Sequence, residues 1–534
     1  MLFVPVYIIF IPIFTALVIY LFKNRYINYL ALLAQAAITV LLVLYHYTYK
    51  GNYGDTLFWF GDWQTIGISL VNDEISESFL FLSVFSWWMV LIYTFEKGKT
   101  DHNFLFFLMF LQGVFLGLLQ SNDLFNMFVF MELTTIIVTI LIAYKKAGDS
   151  FRAGIYYLLL NTSGVLMFLI GIILLYNTFG TINVEQIGSL IHLYGEETVI
   201  RFSYVLMMGG IAVKSALFPV FTWLPRAHGV AASAISALLS GLVVKGGLYL
   251  FIRINGMYAG AAIDYTEFFY WVGAITAVVG VMFALSQKDI KQVLAYHTIS
   301  QIGIVMMGLS SLHDTAMFYG GFLHIFNHAL FKSLLFLGAG IIIKAYKTKK
   351  VGEIRGVMRA MPVVSVFMII GMLSITGAPF FNGFISKSII KYGIMDSGIK
   401  YWILFVVNIG TATSFIKLSQ IFFGQKRMTI RLKRLPQRIT LMTLAFACVA
   451  LGNFYIQIGE GFFGLPLQEV TVADWAALFD YALALSIGLA FYKLVIEPDY
   501  KPVRYIRNFQ MSFETANYLF VVFLVVMTVY FVVL

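Results

Sequence analysis

The sequence predicts an all-α polytopic membrane protein, and three observations carry that expectation. Hydrophobic residues make up 60% of the 534 and charged residues only 12%, with a mean hydropathy of +0.87, more apolar surface than a water-soluble core can bury. The apolar stretches run about 18–25 residues, long enough to cross the hydrocarbon of a bilayer as helices. Basic residues alternate between loops. Of the 36 Lys and Arg, 26 fall in loops after odd-numbered stretches, four in loops after even-numbered ones and six inside stretches. A span missed or invented in the middle would break that alternation, and by the positive-inside rule it sets both termini on the outer side.

Sixteen spans follow, near 2–22, 27–46, 78–95, 103–121, 122–144, 153–178, 202–222, 231–253, 266–286, 290–310, 315–343, 362–395, 401–424, 439–457, 475–496 and 516–534. The first, MLFVPVYIIFIPIFTALVIYLFKNR, is too long for a signal-peptide apolar region and carries its positive charge behind it, so it reads as a retained span. Residues 47–77 carry Asp55, Asp62, Asp73, Glu74 and Glu77 around an alternating WFGDWQTIGISLV, which predicts a short β-hairpin turning at Gly61-Asp62. These acids, with Glu185, Glu196 and Glu197 of the loop 179–200, read as solvated loop residues. The inner segments 344–359 and 426–438 are basic enough to lie on anionic lipid, so the net charge of +10 needs no nucleic-acid partner. A single cysteine, Cys448 in an apolar run, excludes a disulfide framework, a CxxC zinc site and an iron–sulfur ligand set.

Two spans are interrupted by Gly and Pro. One breaks around Pro219 and Pro225, the other at Gly377, Pro379 and Gly383, and each carries a lysine, Lys214 and Lys387. Interrupted spans at matching places in two halves point to a transport site. The spacing fits two five-helix units, 103–253 and 266–424, between an N-terminal part (1–102) and C-terminal spans (439–534). Five is odd, so the second unit is inverted relative to the first.

The titratable residues inside the spans are few. Glu132, in SNDLFNMFVFMELTTIIVTILIAY, is the one acid well inside the membrane, whereas Asp480 lies nearer the outer end of its span and reaches water. A charge at that depth costs roughly 3 kcal/mol or more and persists mainly where it faces a bundle interior or a wet path. Lys214 and Lys245 lie on neighbouring spans. Desolvation favours the neutral amine and an approaching carboxylate the charged one, so a Glu–Lys pair of changing separation is a proton switch, with the second lysine as acceptor. In HIFNHALFKSLLF, His324, His328 and Lys332 stand at i, i+4 and i+8 on one helix face, and neutral imidazoles both donate and accept protons. An HxxxH pair can chelate, but no carboxylate or thiolate ligand stands beside it and the general base of HExxH is missing, so neither metal nor haem is expected. Lys387, in TGAPFFNGFISKSIIKY, follows the second break. Lys391 and Lys417 read as snorkelling or supporting lysines, and His228 and His297 as local hydrogen-bonding residues or relay members alike.

Together SNDLFNMFVFMEL, KSALFPVFTWLPRAH…SAISALLSGLVVK, DIKQVLAYHTISQIG, HIFNHALFKSLLFLGAG and GAPFFNGFISK resemble the antiporter-like subunits of respiratory complex I. That family includes the corresponding subunit of Mrp-type multisubunit cation/proton antiporters and the equivalent subunits of membrane-bound hydrogenases. The resemblance covers roughly residues 60–460. It implies fourteen core helices with two inverted five-helix repeats, a polar axis along the membrane plane, and about two extra C-terminal spans here. By motif, Glu132 takes the place of the family's helix-5 glutamate, Lys214 the helix-7 lysine, Lys245 the helix-8 lysine, His324 and His328 the helix-11 histidines, and Lys387 the terminal helix-12 residue. In one complex I branch that last residue is a glutamate, so lysine leans towards the Mrp or hydrogenase type. The helix-8 entry departs from the family's AP motif, reading Ala231-Ala232-Ser233, which predicts a milder break there.

The resemblance implies a plasma-membrane subunit of a multisubunit complex that moves protons, with Na+/H+ antiport as the leading reading and no cofactor or redox centre of its own. Glu132 and Lys214 form the switch, Lys245, His324, His328 and Lys332 the relay, and Lys387 the exit-side group. A pumping subunit of a hydrogenase or complex I-like enzyme, and a proton channel feeding a CO2-hydrating zinc protein, stay open as alternatives.

Overall fold

Helix starts are set by short polar side chains. In the computed structural model Asp73, Asp101, Asp123, Asp289, Thr315 and Ser512 each accept a hydrogen bond from a backbone N–H of the helix they open, satisfying donors that a helix end leaves free. The structure describes residues 3–24, 26–50, 57–60 (Phe60 by its backbone only), 67–96, 101–145, 147–194, 197–311, 315–395, 397–425, 434–471 and 475–533. Among them, thirteen helices are long and apolar enough to cross a membrane. The remaining expected spans correspond to Thr198–Lys214, Ile290–Leu309 and Pro362–Thr376. The all-α polytopic expectation holds.

Two short strands, Phe58–Phe60 and Ile68–Leu70, pair antiparallel with Phe58 opposite Leu70, as the alternation predicts. The Gly61-Asp62 turn, like Asp55, Glu196 and the basic residues 426–433, lies outside the described residues. Two of the acids assigned to the outer loop are paired with bases rather than free in solvent. Glu77 is 1% exposed within Glu74–Thr94 and faces His46 Nδ1 at 3.0 Å, and Asp73 pairs with Arg253. Burial pushes the Asp73 carboxyl up, but Arg253 and the hydrogen bonds from Ser76 outweigh it and hold the group below the usual range.

The centre of the bundle is Ser233–Met257, whose apolar window is wholly buried, against 17% for the peripheral Trp475–Ile496. Two corners match in construction. Asp123 bridges Asn183, flanked by Leu124 N–H to Ile182 carbonyl and Val184 N–H to Asn122 carbonyl. Asp289 bridges Lys350, flanked by Ile290 N–H to Lys349 carbonyl and Val351 N–H to Lys288 carbonyl. Each corner joins the start of a helix to the segment after the next one, Gly148–Phe179 in the first and Ala316–Tyr346 in the second, the two longest helices among the described residues.

The C-terminal helices wrap this bundle. Trp475–Phe491 packs on Ile399–Ser419, and Phe513–Thr528 packs on Thr198–Lys214. The short helix Lys501–Asn508 links them as a strap. Asp499 is gripped by Arg507 and by Lys288 (2.8 Å), Arg507 Nε donates to the Ser286 carbonyl at 2.8 Å, and Arg226 donates to the Met511 carbonyl. The Arg507 hydrogen bond and Lys288 hold the Asp499 carboxyl down at about 2.

Candidate functional site

The first broken helix ends at Lys214, earlier than the span 202–222 predicts, and the chain rewinds only at Trp223–Val230. Ala216 has φ +53°, and the Phe218–Pro219 bond is cis. Backbone groups in a dry interior need partners. Here the Trp223 indole donates to the Val213 carbonyl (2.9 Å), and the Phe218 N–H donates to Thr276 Oγ1 (3.0 Å). Lys214, 7% exposed, donates from Nζ to the Thr135 hydroxyl and to the Met131 carbonyl at 3.1 Å. Both partners belong to Leu124–Ala143, the helix of Glu132, yet Glu132 is not the one it pairs with. Glu132 Oε1 accepts from Thr162 Oγ1 at 2.8 Å, and its Oε2 finds no partner among the described residues. The acid and the amine share a helix surface without forming an ion pair.

Lys245 stands two residues from Gly247, where a Cβ would lie 2.4 Å from Ser215 Oγ and 3.0 Å from the Lys214 carbonyl carbon. Only glycine lets the first break press this closely on the central helix. The helix reaching Lys245 is interrupted twice. Ala231 and Ala232 are extended before Ser233, and Leu239–Val243 widens into a π-turn. The milder break expected at Ala231-Ala232-Ser233 is thus a clean helix stop achieved without proline. Lys245 Nζ donates to the Ser240 carbonyl within the widened turn and lies 2.6 Å from His328 Nδ1.

His324, His328 and Lys332 do share one face of Ala316–Tyr346, and all three are fully buried. The imidazoles stack with centroids 6.4 Å apart and planes 15° from parallel. His324 Nε2 points at Gln301 Oε1 (3.1 Å) and so carries the proton, leaving Nδ1 to accept from the Ser386 hydroxyl at 2.8 Å. Asn327 Nδ2 donates to Ser386 Oγ at 3.0 Å and to the Asn382 carbonyl at 2.8 Å, tying the histidine helix to the start of the second half-helix. Lys332 donates to the Leu294 carbonyl at 2.7 Å, off the Lys245–His328–His324 line.

Ser386 precedes Lys387. The second broken helix stops at Gly377 (φ +81°) and restarts at Asn382, and a Cβ on Gly383 would lie 1.9 Å from the Ser374 carbonyl oxygen. Lys387 Nζ donates to the Ile375 carbonyl at 2.8 Å, in the last turn before that break. Among the described residues no carboxylate pairs with Lys214, Lys245, Lys332 or Lys387, and each amine is held by backbone oxygen released or exposed beside a helix irregularity or shared with a threonine. A buried ammonium without a counter-ion is costly, so each amine depends on these oxygens.

Gln301, Ser386, Asn327, Thr135 and Thr162 contact these groups, yet none is signalled by charge. Their signal is only polarity on otherwise apolar helices. Lys417 donates to three carbonyls, those of Ala284, Leu285 and Gln287, at 2.7–3.0 Å, a satisfied supporting lysine as expected. Lys291, counted with an inner loop, is 3% exposed and donates to the Ala231 carbonyl at 2.6 Å. Lys391 does not simply snorkel: it pairs with Asp480 at 2.8 Å. His228 stacks on Phe336 and His297 packs against Phe415, and neither ring nitrogen pair finds a hydrogen-bond partner among the described residues.

Residues 121–416, more than half of the chain, match the family of NADH:quinone oxidoreductase/Mrp antiporter transmembrane proteins. The chain belongs to this family. Among relatives, a Staphylococcus aureus protein named as antiporter subunit mnhD2 is 28% identical over 456 residues, covering 83% of this chain and 91% of its own. Three solved complexes contain a chain of the same fold. The archaeal membrane-bound sulfane sulfur reductase aligns with a TM-score of 0.80 at 23% identity, over 92% of this chain and 99% of its own. The Mrp complex of Dietzia sp. DQ12-45-1b gives 0.75 at 21% (95% and 99%), and respiratory complex I of Thermus thermophilus 0.76 at 20% (90% and 99%).

Proposed function

We propose that this chain is the proton-carrying membrane subunit of a multisubunit plasma-membrane complex, exchanging H+ for Na+. The observation that carries the reading is the contact of Lys245 Nζ with His328 Nδ1 at 2.6 Å, an amine and an imidazole sharing one proton where the central helix Ser233–Met257 meets the histidine helix. Glu132 and Lys214 act as the switch: drawing the carboxylate to the amine holds the proton on Lys214, and parting them, the geometry seen here, lets it pass to Lys245. His328, His324 and Ser386 carry it to Lys387, with Lys332 as a side branch. Lys245 already faces His328, and His324 already faces Ser386, whereas His328 Nε2 is unpartnered among the described residues and its ring centroid lies 6.4 Å from that of His324, so the step between the imidazoles requires a ring rotation or a bridging water.

The matching corners at Asp123 and Asp289 support two five-helix units of opposite sense, 103–253 and 266–424, between 1–102 and 439–534. Charge alternation supports both termini on the outer side. Antiport is supported by the kinship with a protein named as an antiporter subunit, and Na+ as the exchanged ion rests on the family resemblance of the motifs. The family also holds membrane subunits of NADH:quinone oxidoreductase, which keeps redox-driven pumping as the second reading.

Everted vesicles from antiporter-deficient cells expressing the whole complex separate the two. Added Na+ should dissipate a preformed ΔpH, and Glu132→Ala should remove that response while the complex still assembles. A ΔpH insensitive to Na+ but generated by an electron donor would replace antiport with redox-driven pumping.

A further inference from the structure

The proton path from Lys214 ends at Lys387, an amine that is 5% exposed, and a proton arriving there still needs a way out. Beside it lies a cavity of about 300 Å³ that is not walled by the five-helix units alone. One wall is the helix Trp475–Phe491, through Ala477, Asp480 and Tyr481. The floor is Lys387 and Ser388, and the opposite side includes Asn408.

The groups facing this space are chemically directed. Lys387 Nζ uses one hydrogen bond on the Ile375 carbonyl and lies 3.9 Å from where a Cβ on Gly377 would stand, so the missing side chain leaves the amine room. Asn408 Oδ1 has no hydrogen-bond partner among the described residues and lines the cavity, an acceptor left for water. Tyr481 OH is 2.9 Å from Thr376 Oγ1 and fixes the outer helix to the last turn before the second break. Further out, Asp480 and Lys391 form an ion pair at 2.8 Å with side chains 47% and 37% exposed, both in contact with the surroundings. A buried amine, an amide oxygen and a half-exposed carboxylate thus line one cavity.

We propose that Trp475–Phe491 builds the outer port of the proton path, a water-lined cavity in which Asp480 exchanges protons between the outer side and Lys387. The inference rests on Lys387 being the exit-side group. In the outward direction the N–H bond of the Lys387 ammonium breaks, the proton crosses cavity water, and a carboxylate oxygen of Asp480 takes it up. Asp480 becomes neutral and loosens its hold on Lys391. Loss of that proton to the outer solution restores the carboxylate and the ion pair, and Lys387 is left as a neutral amine ready for the next proton from Ser386 and His324. No charge accumulates on the chain.

Cys448 is the only cysteine of the sequence and is fully buried, so cysteine accessibility can be read cleanly in a Cys448→Ala background. In the whole complex, Ser388→Cys and Ala477→Cys are exposed to a membrane-impermeant methanethiosulfonate reagent from each face in turn. Both should label from the face that carries residues 464–471 and not from the other. A parallel arm measures proton flux in Asp480→Asn, expected to fall about tenfold, with Asp480→Glu restoring most of it, which a merely structural pair would not require. Two folded cysteine variants that resist labelling from that face, or label only from the other, overturn the port. So does Asp480→Asn at wild-type flux. The two readings fail separately. Labelling together with an active Lys214→Ala complex would keep the port and remove the path, whereas an unlabelled floor with an inactive Lys214→Ala complex would keep the path and remove the port.

Discussion

At the first break Lys214 is the last residue before the chain unwinds, and it faces a helix that carries Glu132. At the second, Lys387 follows the point where the chain rewinds, and it faces a cavity whose acid, Asp480, is already paired with Lys391. Both amines lean on carbonyls and neither touches a carboxylate. What differs is the surroundings. Lys214, 7% exposed, is held by the Thr135 hydroxyl and the Met131 carbonyl of the Glu132 helix, whereas Lys387, 5% exposed, lines a cavity that also holds the half-exposed Asp480. In the proposed path the same device, a lysine at a broken helix, serves as a switch beside Glu132 in one half and as a terminal in the other.

That contrast can be broken or sharpened by substitution. The largest effect is expected from Lys214→Ala or Glu132→Ala, each cutting proton flux by at least about 100-fold, because no other titratable group stands in for either. Lys387→Ala should cost about tenfold or more, and Lys387→Glu, which still titrates beside the cavity, should recover part of it. Equal tolerance of Lys214→Glu would erase the distinction between switch and terminal.

Packing gives a test that does not depend on transport. Gly383→Ala and Gly247→Ala each place a methyl inside a neighbouring backbone or hydroxyl contact, at 1.9 Å and 2.4 Å, and overpacking of this kind costs about 1–3 kcal/mol. Both should lower the melting temperature of the purified complex. Gly383→Ala should be the worse, because a backbone carbonyl oxygen stands 1.9 Å from its methyl, whereas the nearest backbone atom to a methyl at Gly247, the Ser215 amide nitrogen, stands at 2.8 Å.

The smallest effect concerns the strap. The Asp499 carboxyl is held at about 2, below its ordinary 3.8, so the stability it lends is complete above the ordinary value and is lost as the pH falls through about 2. The strap should therefore resist proteolysis at pH 4 as well as at pH 7, and Asp499→Asn should raise cleavage within 497–511 at both, with flux changed by less than about twofold.

Much of this was legible in the sequence because bilayers impose strong rules. Span lengths and the alternation of Lys and Arg follow from the cost of exposing backbone and charge to hydrocarbon, and the hairpin follows from the strict alternation in WFGDWQTIGISLV. The titratable residues of the path stood out because so few charges lie in apolar segments. The structure brings Lys245, His328 and His324 together and leaves Lys332 to one side. Three features were not legible. The stop at Ala231-Ala232 and the π-turn at Leu239–Val243 arise from packing against neighbouring helices, since alanine, leucine and valine carry no local signal for them. Gln301 and Ser386 are uncharged and look like any polar residue in a helix. The burial of Glu77 and Lys291 depends on which distant helix covers them: His46 precedes its partner by 31 residues, and Ala231 lies 60 residues before Lys291.

The central claim is that one proton path joins the two breaks, and its narrowest link is the 2.6 Å contact between Lys245 and His328. Proton flux through the assembled complex carrying Lys245→Ala, with Glu132, Lys214 and Lys387 intact, tests it most directly. The account predicts flux at the background of protein-free vesicles. Flux within about twofold of the wild type, in a complex shown to be fully assembled, would contradict it.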